Sequence, residues 1–156
     1  MNEKKLLKYA IDYLSKFDSS KKNLINVLKR KIFRLEISNF EKSKLINLID
    51  NIIINLEKNK FVDDSRYSST KILSLSSRGK SKNFIFNYLI KKGIDKVQIQ
   101  DNLNLMQKGN KDWELESAKI FVKKKRLLDK KNSYEKNLAK MARAGFSYEI
   151  CKKILG

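Results

Sequence analysis

The sequence predicts an all-α fold, an elongated array of three tandem three-helix repeats with helix-turn-helix-like units. Three observations carry that reading. The 156 residues hold no proline and only 5 glycines, too few turn formers for a strand-rich chain. Apolar residues recur at helical spacing through almost the whole length. A helix opening on serine recurs at Ser20, Ser81 and Ser133, and the last two are followed by glycine stops at Gly93 and Gly145.

The first repeat is assigned to residues 1–59. Leu6, Leu7, Ala10, Tyr13, Leu14 and Phe17 lie on one helical face, and Asp18-Ser19-Ser20 interrupts them. Ser20 is the expected N-cap of a helix carrying Leu24, Val27 and Leu28 and ending near Lys29-Arg30-Lys31. Residues 38–41 are expected as a polar loop. A long helix then runs from about Ser43 to Asn59 through Leu45, Ile49, Ile52, Ile53 and Leu56.

The second repeat, residues 60–109, opens on Phe61-Val62-Asp63-Asp64. Asp63 suits an N-cap, with Phe61 or Val62 stapled onto the first turn. The following helix, to about Ser76, is Ser/Thr-rich and leans on its neighbours. Ser81 caps a helix whose apolar residues are Phe84, Ile85, Tyr88 and Leu89, stopping at Lys91-Lys92-Gly93-Ile94. Asp95 and Gln98 read as a capping box before Val97, Ile99, Leu103 and Met106.

Gly109-Asn110 is the clearest break, and residues 110–156 form the third repeat. It opens at Asp112-Trp113 and continues through Ala118, Phe121 and Val122 to the basic run Lys123-Lys124-Lys125-Arg126. Ser133 caps a helix through Leu138, Met141 and Ala142, and Ser147 caps a last one through Ile150, Cys151, Ile154 and Leu155. One three-helix unit has too little core by itself, whereas stacked units share one.

The formal net charge is +19, from 36 Lys+Arg against 17 Asp+Glu. Such a field attracts polyanions, nucleic acid or an acidic protein surface. The 30 lysines, 15 asparagines and 17 isoleucines also indicate compositional drift, which explains the choice of lysine without cancelling the charge. One cysteine and no histidine exclude disulfides, Cys/His zinc sites and a histidine base, and a reducing, cytoplasmic setting fits. The basic N-terminus lacks the apolar run of a signal peptide, and residues 45–56 are too interrupted by polar residues to span a membrane.

No phosphate loop, ligand cluster or nucleophile–base pair is present, so the expectation is a binding protein rather than an enzyme, without cofactor, metal or small-molecule substrate. Asp63-Asp64 is read as a helix N-terminus favoured by the macrodipole. Trp113 and Cys151 are read as core residues. Gln98, Gln100 and Asn102 are polar enough to read bases, though nothing requires a major-groove docking mode.

With these residues laid out, the chain resembles the RecX family of recombinase regulators. The likeness rests on Phe61-Val62-Asp63-Asp64-Ser65-Arg66-Tyr67, similar to the family's aromatic-Leu-Asp-Asp-x-Arg-aromatic signature. It rests also on Leu89-Ile90-Lys91-Lys92-Gly93-Ile94, on Asp112-Trp113, and on Leu138 to Ile150 with Arg143-Ala144-Gly145-Phe146. The order of these motifs spans nearly the whole chain. Where the family tends to have Gly-Pro before the middle helix, this chain has Ser81-Lys82, and Phe84 stands where arginine is usual; Lys82 or Lys80 is placed to supply that charge. The resemblance implies a monomeric all-helical modulator lying in the groove of a RecA filament on single-stranded DNA. Such a protein inhibits the filament's ATPase, strand exchange and co-protease activity within DNA repair by homologous recombination and the SOS response. Under that reading Asp63, Asp64, Arg66 and Tyr67 fix the middle repeat and its exposed edge. Together with Arg78, Lys80, Lys82, Lys91 and Lys92 they make the filament-facing set, while Lys123, Lys124, Lys125, Arg126 and Arg143 face DNA phosphates.

Overall fold

The computed structural model describes every residue, Met1–Gly156, as nine α-helices without a strand. They are α1 (Glu3–Lys16), α2 (Lys21–Phe33), α3 (Asn39–Lys58), α4 (Asp64–Ser77), α5 (Lys82–Lys91), α6 (Lys96–Gly109), α7 (Trp113–Lys124), α8 (Tyr134–Arg143) and α9 (Tyr148–Leu155). The chain is all-α and built of tandem helical repeats. No helix is long and apolar enough to cross a membrane.

Serine caps set most of the helix starts. The hydroxyl of Ser20 accepts from the Asn23 N–H, Ser81 from Phe84, Ser133 from Lys136 and Ser147 from Ile150, each satisfying one of the orphan donors of a first turn. α3 departs from expectation. It begins at Asn39 rather than near Ser43, because Ser38 is a cap whose Oγ accepts from Glu41 N at 3.1 Å. Ser-x-x-Glu is the capping-box pattern, and a cap outweighs the polar composition that makes residues 38–41 look like a loop. α2 likewise runs on to Phe33.

Contacts group the chain into two compact units. The first is Met1–Tyr67 with Lys92–Ile94, and the second is Ser68–Lys91 with Asp95–Gly156. The borders read from sequence, after residues 59 and 109, fall in the connections flanking α4 and α7, whereas the unit border falls inside α4. The reason lies in side chains: Asp64 and the Lys92–Gly93 turn attach to the start of α2, as described below.

In the first unit, Leu6 and Ala10 of α1, Leu24, Leu28 and Ile32 of α2, and Leu45, Ile49, Ile52, Ile53 and Leu56 of α3 form one core, closed by Val62. Burying side chains of this size stabilises by ~1.5–3 kcal/mol each. In the second unit Ile85 and Leu89 of α5 and Ile99 and Leu103 of α6 are buried, as is Trp113, 2% exposed, at the start of α7. Ala118, Val122, Leu127, Met141, Phe146 and Cys151 make a cluster of their own. Cys151 is 1% exposed, and burial pushes its thiol pKa upward, as suits a core residue.

Of the four apolar residues read onto α5, only Ile85 and Leu89 are buried; Phe84 is 39% exposed.

Candidate functional site

Two sets of side chains define the surface around the middle repeat: a structural joint that occurs twice, and the basic and aromatic residues displayed beside it.

The joint in the first unit starts from the acidic pair. Asp63 Oδ1 accepts from Ser65 N at 2.9 Å and Arg66 N at 3.1 Å, so Asp63 caps α4. Asp64 turns the other way, and its Oδ1 accepts from Lys21 N, the first N–H of α2, at 2.9 Å. Ser20 Oγ, already capping α2, donates to the Lys92 carbonyl at 2.7 Å. The N-terminus of α2 is thus held on a carboxylate and on the turn before Gly93.

The second unit repeats this arrangement. Glu114 Oε2 accepts from Lys82 N, the first N–H of α5, at 2.8 Å. Ser81 Oγ donates to the Ala144 carbonyl, just before Gly145, also at 2.8 Å. Glycine is required at both turns for two reasons. Gly93 and Gly145 have φ of +80° and +95°, and a Cβ on Gly145 would lie 2.5 Å from Ser81 Oγ, while one on Gly93 would enter the Lys22 side chain. The carboxylates also complement the positive end of each helix dipole.

Electrostatics follow the geometry. Burial pushes the half-buried Asp64 carboxyl above its ordinary pKa, against the opposing pull of the Lys21 N–H. Lys21 is raised chiefly by its hydrogen bond to Glu57, with Nζ and Oε2 2.7 Å apart.

The expected filament-facing residues divide accordingly. Tyr67 is 3% exposed and works from inside the first unit, offering a partner no face of its own. Asp63 and Asp64 are engaged by backbone N–H groups, while Arg66 is exposed. Lys92 belongs to the first unit; Arg78, Lys80, Lys82 and Lys91 belong to the second. Asn102, 7% exposed, is too enclosed to read a base edge.

Within the second unit, two concavities are lined by exposed cations. One is an open groove of about 280 Å³ lined by Asn83, Phe84, Asn87, Tyr88 and Lys91 of α5 and by Arg143–Gly145 at the end of α8. Lys80 extends over the Phe84 ring, its Nζ 4.7 Å from the centroid. The other is a concavity of about 450 Å³ where Lys119, Lys123, Arg126 and Lys153 surround Val122, Leu128 and Ile154. Arg126 has φ +52°, a conformation costing a non-glycine residue ~1 kcal/mol or more. Lys124 stands apart from this cluster, donating to the Arg78 carbonyl at 3.3 Å, and Lys125 is exposed.

Sequence reasoning missed Lys119, one helical turn before Lys123 on α7, and Lys153, which is distant in sequence and meets the basic run only through the packing of α9 on α7. It counts Phe84 and Tyr88 among the apolar residues of α5 without saying which of them face water. Their spacing fits a buried face as well as a displayed one, and only the placement of Asn83 and Asn87 beside them hints at exposure.

No protein-family model matches the chain. It is, however, 31% identical over 153 residues to the Finegoldia magna regulatory protein RecX, covering 94% of this chain and 68% of that protein. The chain belongs to the RecX family. The RecX of Myxococcus xanthus is 27% identical over 154 residues, covering 94% of this chain and 81% of that protein. The crystal structure of RecX from Lactobacillus salivarius superposes with a TM-score of 0.73 at 23% identity, over 98% of this chain and 94% of that one. A second RecX crystal structure gives 0.76 at 18% identity, covering 97% and 72%. These two likenesses establish the RecX fold, and the resemblance read from the Asp63-Asp64 signature and the Gly93 and Gly145 stops is borne out at the level of the family.

Proposed function

We propose that this RecX-family protein is a regulator, mainly negative, of a RecA recombinase, seated in the groove of the filament that RecA forms on single-stranded DNA. The observation that carries this reading is the relationship to the Finegoldia magna regulatory protein RecX along 94% of the chain. A ligand with different affinities for filament and free subunit shifts assembly by that difference. Preference for the free subunit removes filament, whereas a protein seated in the groove lowers ATPase, strand exchange and co-protease activity together by restraining the filament it occupies. The protein acts as a monomer, by binding and without cofactor or chemistry of its own.

Asp63, Asp64 and Tyr67 shape the middle repeat. Arg66, Arg78, Lys80, Lys82, Lys91 and Lys92 face the recombinase. Lys123, Lys124, Lys125, Arg126 and Arg143 face the phosphates, where each neutralised phosphate adds to affinity and to salt dependence.

The test is the steady-state ATPase of a cognate RecA on single-stranded DNA, titrated at physiological salt. Inhibition is expected well below one protein per recombinase subunit. Joint charge reversal at Lys91 and Arg143 is expected to abolish it, and unchanged inhibition would refute this assignment of the surface. A second reading, a basic helical protein that binds DNA or RNA without a recombinase, is favoured by the aromatic groove beside Lys91 and Arg143. It predicts no effect on the ATPase beyond competition for DNA.

A further inference from the structure

We propose that the groove between α5 and the end of α8 takes an unpaired nucleobase of a single strand, stacked on Phe84 and Tyr88, with Lys80, Lys91 and Arg143 on its phosphates. The Phe84 and Tyr88 rings lie one helical turn apart, with centroids 6.4 Å apart and planes within 22° of parallel. Together they form an apolar ledge inside a basic groove. Packing accounts for part of Tyr88, which is half-buried, but not for Phe84. Ile85 and Leu89, both 0% exposed, supply the buried face of α5, and Phe84 remains 39% exposed.

The repeat supplies an internal control. Phe84 and Tyr88 stand three and seven residues after the capping Ser81. At the same offsets from Ser20 stand Asn23 and Val27, and from Ser133 Lys136 and Lys140. The Ser-capped helix therefore folds without aromatic residues there, and only the middle copy carries them.

A flat aromatic face ringed by cations matches one ligand chemistry. A base offers a π-face to the ring while its phosphates meet the charges, and stacking of this kind contributes ~1–3 kcal/mol per base. In a duplex those faces are covered by neighbouring pairs, so the site selects unpaired strands. Lys80, now over the Phe84 ring, is placed to swing onto a phosphate when a base takes its position. Asn83 and Asn87 bring amide donors and acceptors to the base edge. An acidic peptide would satisfy the cations but leave the ring faces uncovered.

This inference shares only the basic surface with the recombinase reading, from which it moves Lys80 and Lys91 onto the strand, and bare strands test it alone. Affinity is compared for a thymidine oligonucleotide and an abasic strand of equal length and phosphate number. The thymidine strand is expected to bind tighter by about fivefold or more, the value of one stacked base. Phe84→Ala is expected to erase that ratio while leaving the salt slope unchanged, and Phe84→Trp to keep it. Lys91→Ala is expected to lower the salt slope by about one and to keep the ratio. A 2-aminopurine placed in the strand is expected to be quenched by the wild type and not by Phe84→Ala. Equal affinity for the two strands, or a ratio that survives Phe84→Ala in a variant with an unchanged thermal melt, overturns the proposal. Competition by an acidic peptide without any base preference also overturns it, in favour of a protein partner. ATPase inhibition that persists in Phe84→Ala leaves the recombinase reading standing whichever way the strands bind.

Discussion

The Ser81 hydroxyl joins the start of α5 to the Ala144 carbonyl, 63 residues on, at 2.8 Å, while accepting from Phe84 N at 3.0 Å. One oxygen therefore caps its own helix and fastens it to the next repeat. Ser81→Ala removes both bonds from a site that is 0% exposed and leaves the Ala144 carbonyl without this donor. A loss of ~1–3 kcal/mol is expected in denaturant unfolding. Ser81→Thr keeps the hydroxyl and is expected to recover part of it.

The glycines separate by environment. Gly145→Ala is expected to destabilise by ~2 kcal/mol or more, since the left-handed backbone alone costs ~1–2 kcal/mol and the new Cβ also displaces Ser81. Gly109→Ala is expected to stabilise by ~0.5–1 kcal/mol, because Gly109 is helical and a Cβ there meets nothing within 4 Å. Thermal melts of the two variants are expected to move in opposite directions.

Asp64 gives a pH signature with a definite sign. Its folded pKa is raised by burial, so the folded state holds the proton more tightly than the unfolded chain. Its ionised form therefore opposes folding above the folded pKa, and the penalty fades as pH falls below the unfolded value. Asp64→Asn keeps an acceptor for Lys21 N and is expected to be neutral or stabilising at pH 7, with its advantage vanishing below the carboxylate range. Asp64→Ala, which loses the acceptor, is expected to cost ~1–2 kcal/mol at low pH and less at pH 7, where the ionised wild type bears the burial penalty. Unfolding curves of both variants at pH 3.5 and 7 check this, at about the ordinary carboxylate pKa and well above it.

Net charge sets a fourth expectation. With a formal charge of +19, self-repulsion opposes the compact state, and salt screens it. The melting temperature is expected to rise between 20 and 200 mM sodium chloride by a few degrees, on the order of 1 kcal/mol for a chain of this size. A flat salt profile would mean that repulsion among the 19 excess cations does not limit stability.

The legible parts of this protein were the local ones. A serine before an apolar run, or a glycine after one, states its own reason within four residues, and the caps at Ser20, Ser81, Ser133 and Ser147 needed nothing more. Ser38 escaped because Asn39 and Phe40 hide the cap under a polar, exposed stretch. The carbonyls that receive Ser20 and Ser81 carry no side-chain signature at all, and Glu114 looks like any acidic residue in a first turn. Asp64 was read as serving its own helix, although it serves α2 instead. The exposure of Phe84 was not legible for a different reason: helical spacing fixes which residues share a face, not which face meets water.

The twice-used joint also sets the three serine-capped helices apart from one another. Each joint needs a serine-capped helix and a glycine turn to receive it, and Gly93 and Gly145 already receive Ser20 and Ser81. The third such helix start, at Ser133, is exposed. No third turn exists for it. Where the first repeat would place its glycine, twelve residues after the capping serine, the chain has Ile32, inside α2 and 0% exposed. Ser133 thus keeps its cap and stays outside the joint, so its removal loses one bond where Ser81→Ala loses two, and the cost is expected to be correspondingly smaller.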